Sequence, residues 1–273
     1  MYASGDEVPE ASVSGESVKT SARRIATIFA CCLVVLPLRS LPRGSSNPVS
    51  KLPRYVLWAW ERPEDLRFIN PQDTAVAFLS NTIHLHDDSV VVRPRFQPLV
   101  VPKTTELIAV TRIEVEPHAA LNRRQIEQSA ATVARNASLP RVLAVQVDFD
   151  ATRSQRDFYR ALLVDVRERL GPEMPISITA LASWCFDDNW ISDLPIDEAV
   201  PMLFRMGADT GEIVARLSSG HDFRSAACRG SLGVSVDEPW TSLPPGRRLY
   251  VFQIGPWTAQ AEAAFLRRAS TWR

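Results

Sequence analysis

Two acids, Asp148 and Asp150, stand two residues apart where an uncharged run over residues 142–147 (VLAVQV) gives way to a polar turn. Side chains two apart on a strand point the same way. If the run is a strand, both carboxyls share one face at its C-terminal end, and an amphipathic helical stretch over 154–170 follows. In folds built from βα repeats, ligands and chemistry gather at that end of the strands. Two neighbouring carboxyls repel each other when both are charged, so one keeps its proton to higher pH. That is how a general acid is made near neutrality. Glycoside hydrolysis asks for such a pair, one acid as proton donor and the other as nucleophile or base.

The elements that must position these acids follow from the alternation of apolar runs and amphipathic stretches. Strand-like runs occupy 55–60, 74–80, 107–114, 142–149, 176–182, 198–205, 231–236 and 248–254. Helical patterns occupy 63–69, 122–137, 154–170, 210–218 and 258–270. Residues 82–101 read as a β-rich excursion that turns at Asp87-Asp88. Eight strands, most of them followed by a helix, define an α/β chain and predict a (β/α)8 TIM barrel. Short Pro-rich connections after strands five and seven predict degenerate helices there. No G-x-G-x-x-G turn follows any strand, which argues against an open dinucleotide-binding sheet.

A barrel would gather strand-end residues from distant parts of the chain. Asp148, Asp150 and Glu114 are the candidate catalytic carboxylates. Trp60, Trp184 and Trp257 could stack on sugar rings, Arg112 and Arg205 could orient the acids, and Gln253 adds a polar contact. Acids among tryptophans suit a polysaccharide or oligosaccharide, whose C–H faces lie on indole rings and whose hydroxyls bond carboxylates. The rival reading is a structural ion network of Glu114, Asp148, Arg112 and Arg205 that needs no substrate.

The chain has 273 residues with 31 basic and 31 acidic side chains, so no electrostatic footprint for nucleic acid exists. Residues 1–24 are rich in Ser, Glu and Ala and read as disordered. Residues 25–39 combine a 14-residue uncharged apolar run with flanking arginines, the pattern of an export signal or membrane anchor. Residues 40–53 read as a linker to a barrel domain over 54–273. The expected location is therefore periplasmic, exported or membrane-tethered. Cys185 and Cys228 read as two unpaired core residues, with a disulfide as the alternative in an oxidising compartment. His84-x-His86-Asp87-Asp88 has ligand types at metal-like spacing, but no third ligand is identifiable and a solvated hairpin is the preferred reading. The sequence carries no cofactor signature.

Three segments, VQVDFDATRSQRDFYRALL, SITALASWC and LPIDEAVPMLFRMG, resemble the bacterial family described as domain of unknown function 3142. The resemblance runs from about Tyr55 to the C-terminus and implies a glycosidase-like (β/α)8 barrel, often with an export or lipid-anchor segment. A more distant similarity is to family 18 glycoside hydrolases, whose fourth strand carries D-x-x-D-x-D-x-E. Here the same-face positions read Gln146, Asp148, Asp150 and Thr152; the terminal glutamate of that pattern falls either on Thr152 and is lost or, aligned two residues earlier, on Asp150, a shorter acid. This departure leaves open both a hydrolase and a non-catalytic barrel that binds glycan or protein. A metal-dependent hydrolase using His84 and His86 is the third alternative.

Overall fold

The computed structural model describes residues 48–272 apart from 187 and 241–242. The expectations for 1–24, 25–39 and 40–47 lie outside these residues. In chain order the strands are β1 (Tyr55–Ala59), β2 (Glu64–Asp65), β3 (Thr74–His86), β4 (Ser89–Pro94), β5 (Leu99–Val100), β6 (Leu107–Val115), β7 (Val142–Asp148), β8 (Ile176–Leu181), β9 (Glu198–Met202), β10 (Ser231–Ser235) and β11 (Arg248–Phe252). The helices are α1 (Arg123–Asn136), α2 (Arg156–Leu170), α3 (Ala182–Phe186), α4 (Thr210–Ser218) and α5 (Ala259–Thr271).

Eight of these strands run parallel around a closed ring in the order β1, β3, β6, β7, β8, β9, β10, β11, with β1 pairing both β3 and β11. This is a (β/α)8 TIM barrel. The expected degeneracy is present: α3 after β8 has five residues, and no helix lies between β10 and β11 among the described residues. The helical stretch expected at 63–69 is not one. Glu64–Asp65 instead pairs with Leu99–Val100 as a small parallel ribbon. The run at 74–80 and the start of the excursion are one strand, β3, which folds back on β4 in an antiparallel hairpin.

Polar–apolar periodicity explains the layers. α1 starts at a capping box, where Asn122 Oδ1 accepts from Gln125 N at 3.0 Å and Gln125 Oε1 accepts from Asn122 N at 3.2 Å. It turns Ile126, Ala130 and Val133 to the barrel wall. α2 does the same with Phe158, Tyr159, Leu162, Leu163 and Val166. Thr258 caps α5 by accepting from Ala261 N at 3.1 Å.

Inside the barrel, Val56, Trp58, Ala75, Ala77, Ile108, Val110, Ala144, Val200 and Tyr250 form a second apolar cluster. Polar side chains share this interior. Trp58 Nε1 donates to Gln146 Oε1 at 2.9 Å, Gln146 Nε2 to Ser177 Oγ at 3.1 Å, and Ser177 Oγ to Glu198 Oε2 at 3.0 Å. Glu198 also accepts from Tyr250 OH at 2.7 Å, Arg248 Nη1 at 2.9 Å and Ser231 Oγ. Every carboxylate oxygen in this buried cluster is answered, as a buried charge requires. Arg248 further donates to the carbonyls of Val49, Leu52 and Pro53. Residues 48–53, expected as the end of a flexible tether, thus close the N-terminal end of the barrel, with Val49 and Leu52 buried.

Candidate functional site

The C-terminal mouth of the barrel holds a cavity of about 340 Å³. Trp58 and Thr179 line it together with Trp60, Arg112, Asp148, Asp150, Met202, Phe204, Arg205, Asp209 and Phe252. Register explains the gathering. Arg112 on β6 lies opposite Asp148 on β7, and Val147 lies opposite Ile178 on β8, which sets Asp148 beside Thr179. Asp148 is fully engaged: Oδ2 accepts from Arg112 Nη1 at 2.8 Å and Oδ1 from Thr179 Oγ1 at 2.6 Å. Arg112 turns its Nε to Glu114 Oε1 at 2.9 Å, and Glu114 Oε2 lies 3.2 Å from His84 Nδ1. The relay His84–Glu114–Arg112–Asp148–Thr179 pins one carboxylate in place from three strands. Burial works against the Arg112 charge, but Asp148 and Glu114 outweigh it and hold the guanidinium more firmly protonated than usual.

Asp150 is different. It lies just beyond β7, opens onto the cavity, and receives no hydrogen bond or ion pair among the described residues. Asp150 is exposed at the cavity mouth, yet the atoms crowded around it withdraw part of its hydration, and Asp148 adds a like charge. Desolvation first, then this repulsion, raise its pKa above the ordinary aspartate value of 3.8, with Arg112 opposing. Tyr159, wholly buried behind the two acids, is pushed well above the usual phenol range by burial and then by the Asp148 and Asp150 charges. The site therefore pairs one immobilised carboxylate with one free carboxyl that favours its proton. That asymmetry suits general acid chemistry.

The remaining expected site residues divide. Trp60 lines the cavity, with the Arg112 guanidinium 5.9 Å from its ring centroid. Glu114 stands behind Arg112 rather than on the cavity wall. Trp184 is 5% exposed and packs edge-on against Trp190 at 5.0 Å, away from the cavity. Trp257 is 4% exposed, donating its indole N–H to Trp58 O and its backbone N–H to Glu64 Oε2, both at 3.0 Å. Neither indole offers a face to a ligand there. Gln253 donates to Pro256 O at 2.7 Å on the outer side of β11. β11 ends at Phe252, so Gln253 already belongs to the loop that leaves the mouth. Arg205 lines the cavity but makes no ion pair with Asp148 or Asp150, so it does not orient them. Thr179, Phe204, Phe252 and Asp209 were not singled out from the sequence. The inward parity of Ser177 and Tyr250 on their strands was the signal for Thr179 and Phe252.

His84 and His86 both engage carboxylates, Glu114 for the first, Asp87 at 3.1 Å and Glu116 at 3.6 Å for the second. Among the described residues no group of three or more His, Cys, Asp or Glu could hold a metal ion. Thr152, one of the two positions on which the glutamate of the family 18 pattern falls, precedes a short 3-10 turn and is exposed; Asp150 is the other. Gln146 is held inside the barrel by Trp58 and Ser177. Cys185 and Cys228, expected as unpaired, form a disulfide with Cα atoms 5.9 Å apart, tying α3 to the turn before β10.

No protein-family model matches the chain, and no curated protein matches it. Among solved structures it is similar to the chitinase domain of the spore coat protein CotE from Clostridium difficile, at 15% identity and a TM-score of 0.39. The match covers 55% of this chain and 49% of the other, about half the length of that chain. The closed strand order itself defines the barrel.

Proposed function

We propose that this chain acts on an oligosaccharide or polysaccharide at the barrel mouth, as a glycoside hydrolase in which Asp150 protonates the leaving oxygen. The observation that carries the reading is the contrast between Asp150, unpartnered and with its pKa raised above the ordinary aspartate value, and Asp148, locked by Arg112 and Thr179. With both oxygens taken, Asp148 serves as a fixed negative charge that stabilises developing positive charge on the sugar; once the protonated leaving group departs, water adds to the anomeric carbon and returns a proton to the Asp150 carboxylate. Trp60 supplies an aromatic wall against which a sugar ring can lie. Kinship with domain of unknown function 3142 belongs to the same proposal: its three segments form β7 with α2, β8 with α3, and β9 with the loop bearing Arg205. Export to an oxidising compartment belongs to the proposal and is supported by the Cys185–Cys228 disulfide; a tether in residues 25–39 rests on the apolar run and its flanking arginines alone.

One observation favours a second reading, a barrel that binds glycan without cleaving it. Of the acids on β6 and β7, Asp150 alone is uncommitted, and a binding site needs no second catalytic carboxylate. Incubating the protein and Asp150→Asn with a panel of oligosaccharides, reading both binding and hydrolysis, separates the two. Hydrolysis by the parent with loss of at least about a hundredfold in the variant is the expected result. Full hydrolysis in Asp150→Asn would remove Asp150 from the mechanism, and binding without turnover in both would establish the second reading.

A further inference from the structure

Arg205 is the cation in the cavity that the acids do not use. It follows β9 with φ at +54°, in the left-handed region that non-glycine residues adopt at a cost. Its backbone N–H donates to both carboxylate oxygens of Glu238 at 3.2 Å, which holds the unusual turn in place. The side chain then lies over Phe252, 5.2 Å from the ring centroid, and Phe252 is itself stacked on Phe204 at 5.5 Å with planes 5° apart. Among the described residues no carboxylate pairs with this guanidinium. Arg112, by contrast, is consumed by Glu114 and Asp148. Asp150 and Arg205 line the same cavity, and no ion pair joins them.

An arginine propped on an aromatic stack has lost side-chain freedom before any ligand arrives, and its fork of N–H groups matches a planar anionic oxygen group. We infer that the cavity takes a saccharide unit bearing an anionic oxygen group, a uronate carboxylate or a sulfate ester, and that Arg205 binds this group while Asp150 faces the glycosidic oxygen. This rests on the saccharide reading above and narrows its substrate class. The selection is local. With zero net charge the molecule exerts no long-range pull on a polyanion, so discrimination must come from contact at Arg205.

The test is calorimetric binding to the intact protein with matched pairs: an oligogalacturonide and its methyl ester, a β-1,4-linked oligoglucuronide and the cello-oligosaccharide of equal length, and that cello-oligosaccharide with and without 6-O-sulfate. Within at least one pair, the charged member should bind about tenfold or more tightly than the neutral one, and which pair responds distinguishes carboxylate from sulfate. Arg205→Met should abolish that difference, and Arg205→Lys, which keeps charge without the fork, should retain part of it. Both variants keep the same backbone demand, and their melting temperatures report whether the fold is intact. Equal affinity within every pair, or a preference that survives in Arg205→Met, would overturn the inference while leaving the saccharide reading standing. Absence of binding to every member would overturn both.

Discussion

At the scale of single residues, the mouth of this barrel differentiates two acids that the sequence presents as equals. Asp148 gains a guanidinium and a hydroxyl; Asp150 gains only a neighbour of its own charge. The sign of the stability effect follows. The folded chain holds the Asp150 proton more tightly than the unfolded chain, so ionised Asp150 costs stability. That cost is absent below the ordinary value of 3.8, grows as pH rises through and beyond it, and is complete above the raised folded-state value. Asp150→Asn should therefore melt at higher temperature than the parent at neutral pH, with the gap closing in acid. Thermal melts over a pH series check this, and a variant that is less stable at neutral pH would contradict it. The placement of both acids was legible from parity and from the helix that follows them. The commitment of Glu114 and the independence of Arg205 were not, because each depends on partners from other strands, His84 and Phe252.

Elements with a clear period were read with near-correct bounds: α1, α2, α4 and α5, and the barrel strands other than β3, which runs on to His86, and β9, which stops at Met202. The misreadings have nonlocal causes. Glu64–Asp65 is extended because Leu99–Val100, far along the chain, offers it a ladder. β3 continues through Ser80 because a register shift between Leu79 and Asn81 is absorbed by Asn136 of α1, which accepts from Ser80 Oγ at 3.0 Å and Asn81 Nδ2 at 3.1 Å. Strand β11 stops at Phe252, so Gln253 and Trp257 fall outside the mouth. On β10, Gly233 makes room for the ring that floors the cavity: an added Cβ would lie 3.2 Å from Trp58 Cη2, with the Pro201 carbonyl 3.4 Å away. Gly233→Ala must shift the Trp58 ring or the β9 backbone by a few tenths of an ångström in a packed interior, and should destabilise by about 1–3 kcal/mol in denaturant unfolding. An unchanged midpoint would show that the interior has slack there.

For the molecule as a whole, the two ends of the barrel have different tasks. The N-terminal end is sealed by Glu198, Arg248 and the segment carrying Val49 and Leu52, with its charges fully satisfied. Among the described residues, the C-terminal end leaves the carboxyls of Asp150 and Asp209 and the Arg205 guanidinium without an ion-pair partner around a cavity. Unanswered polar groups in a walled site are where free energy remains for a ligand. The measurement that tests this account most directly is a carboxyl-carbon NMR titration of the full chain and of Asp148→Asn. The account predicts that Asp150 titrates above 3.8 in the parent and shifts downward when the Asp148 charge is removed. An Asp150 that titrates at or below 3.8, or that ignores the Asp148 substitution, would contradict the assignment of a proton donor to this site.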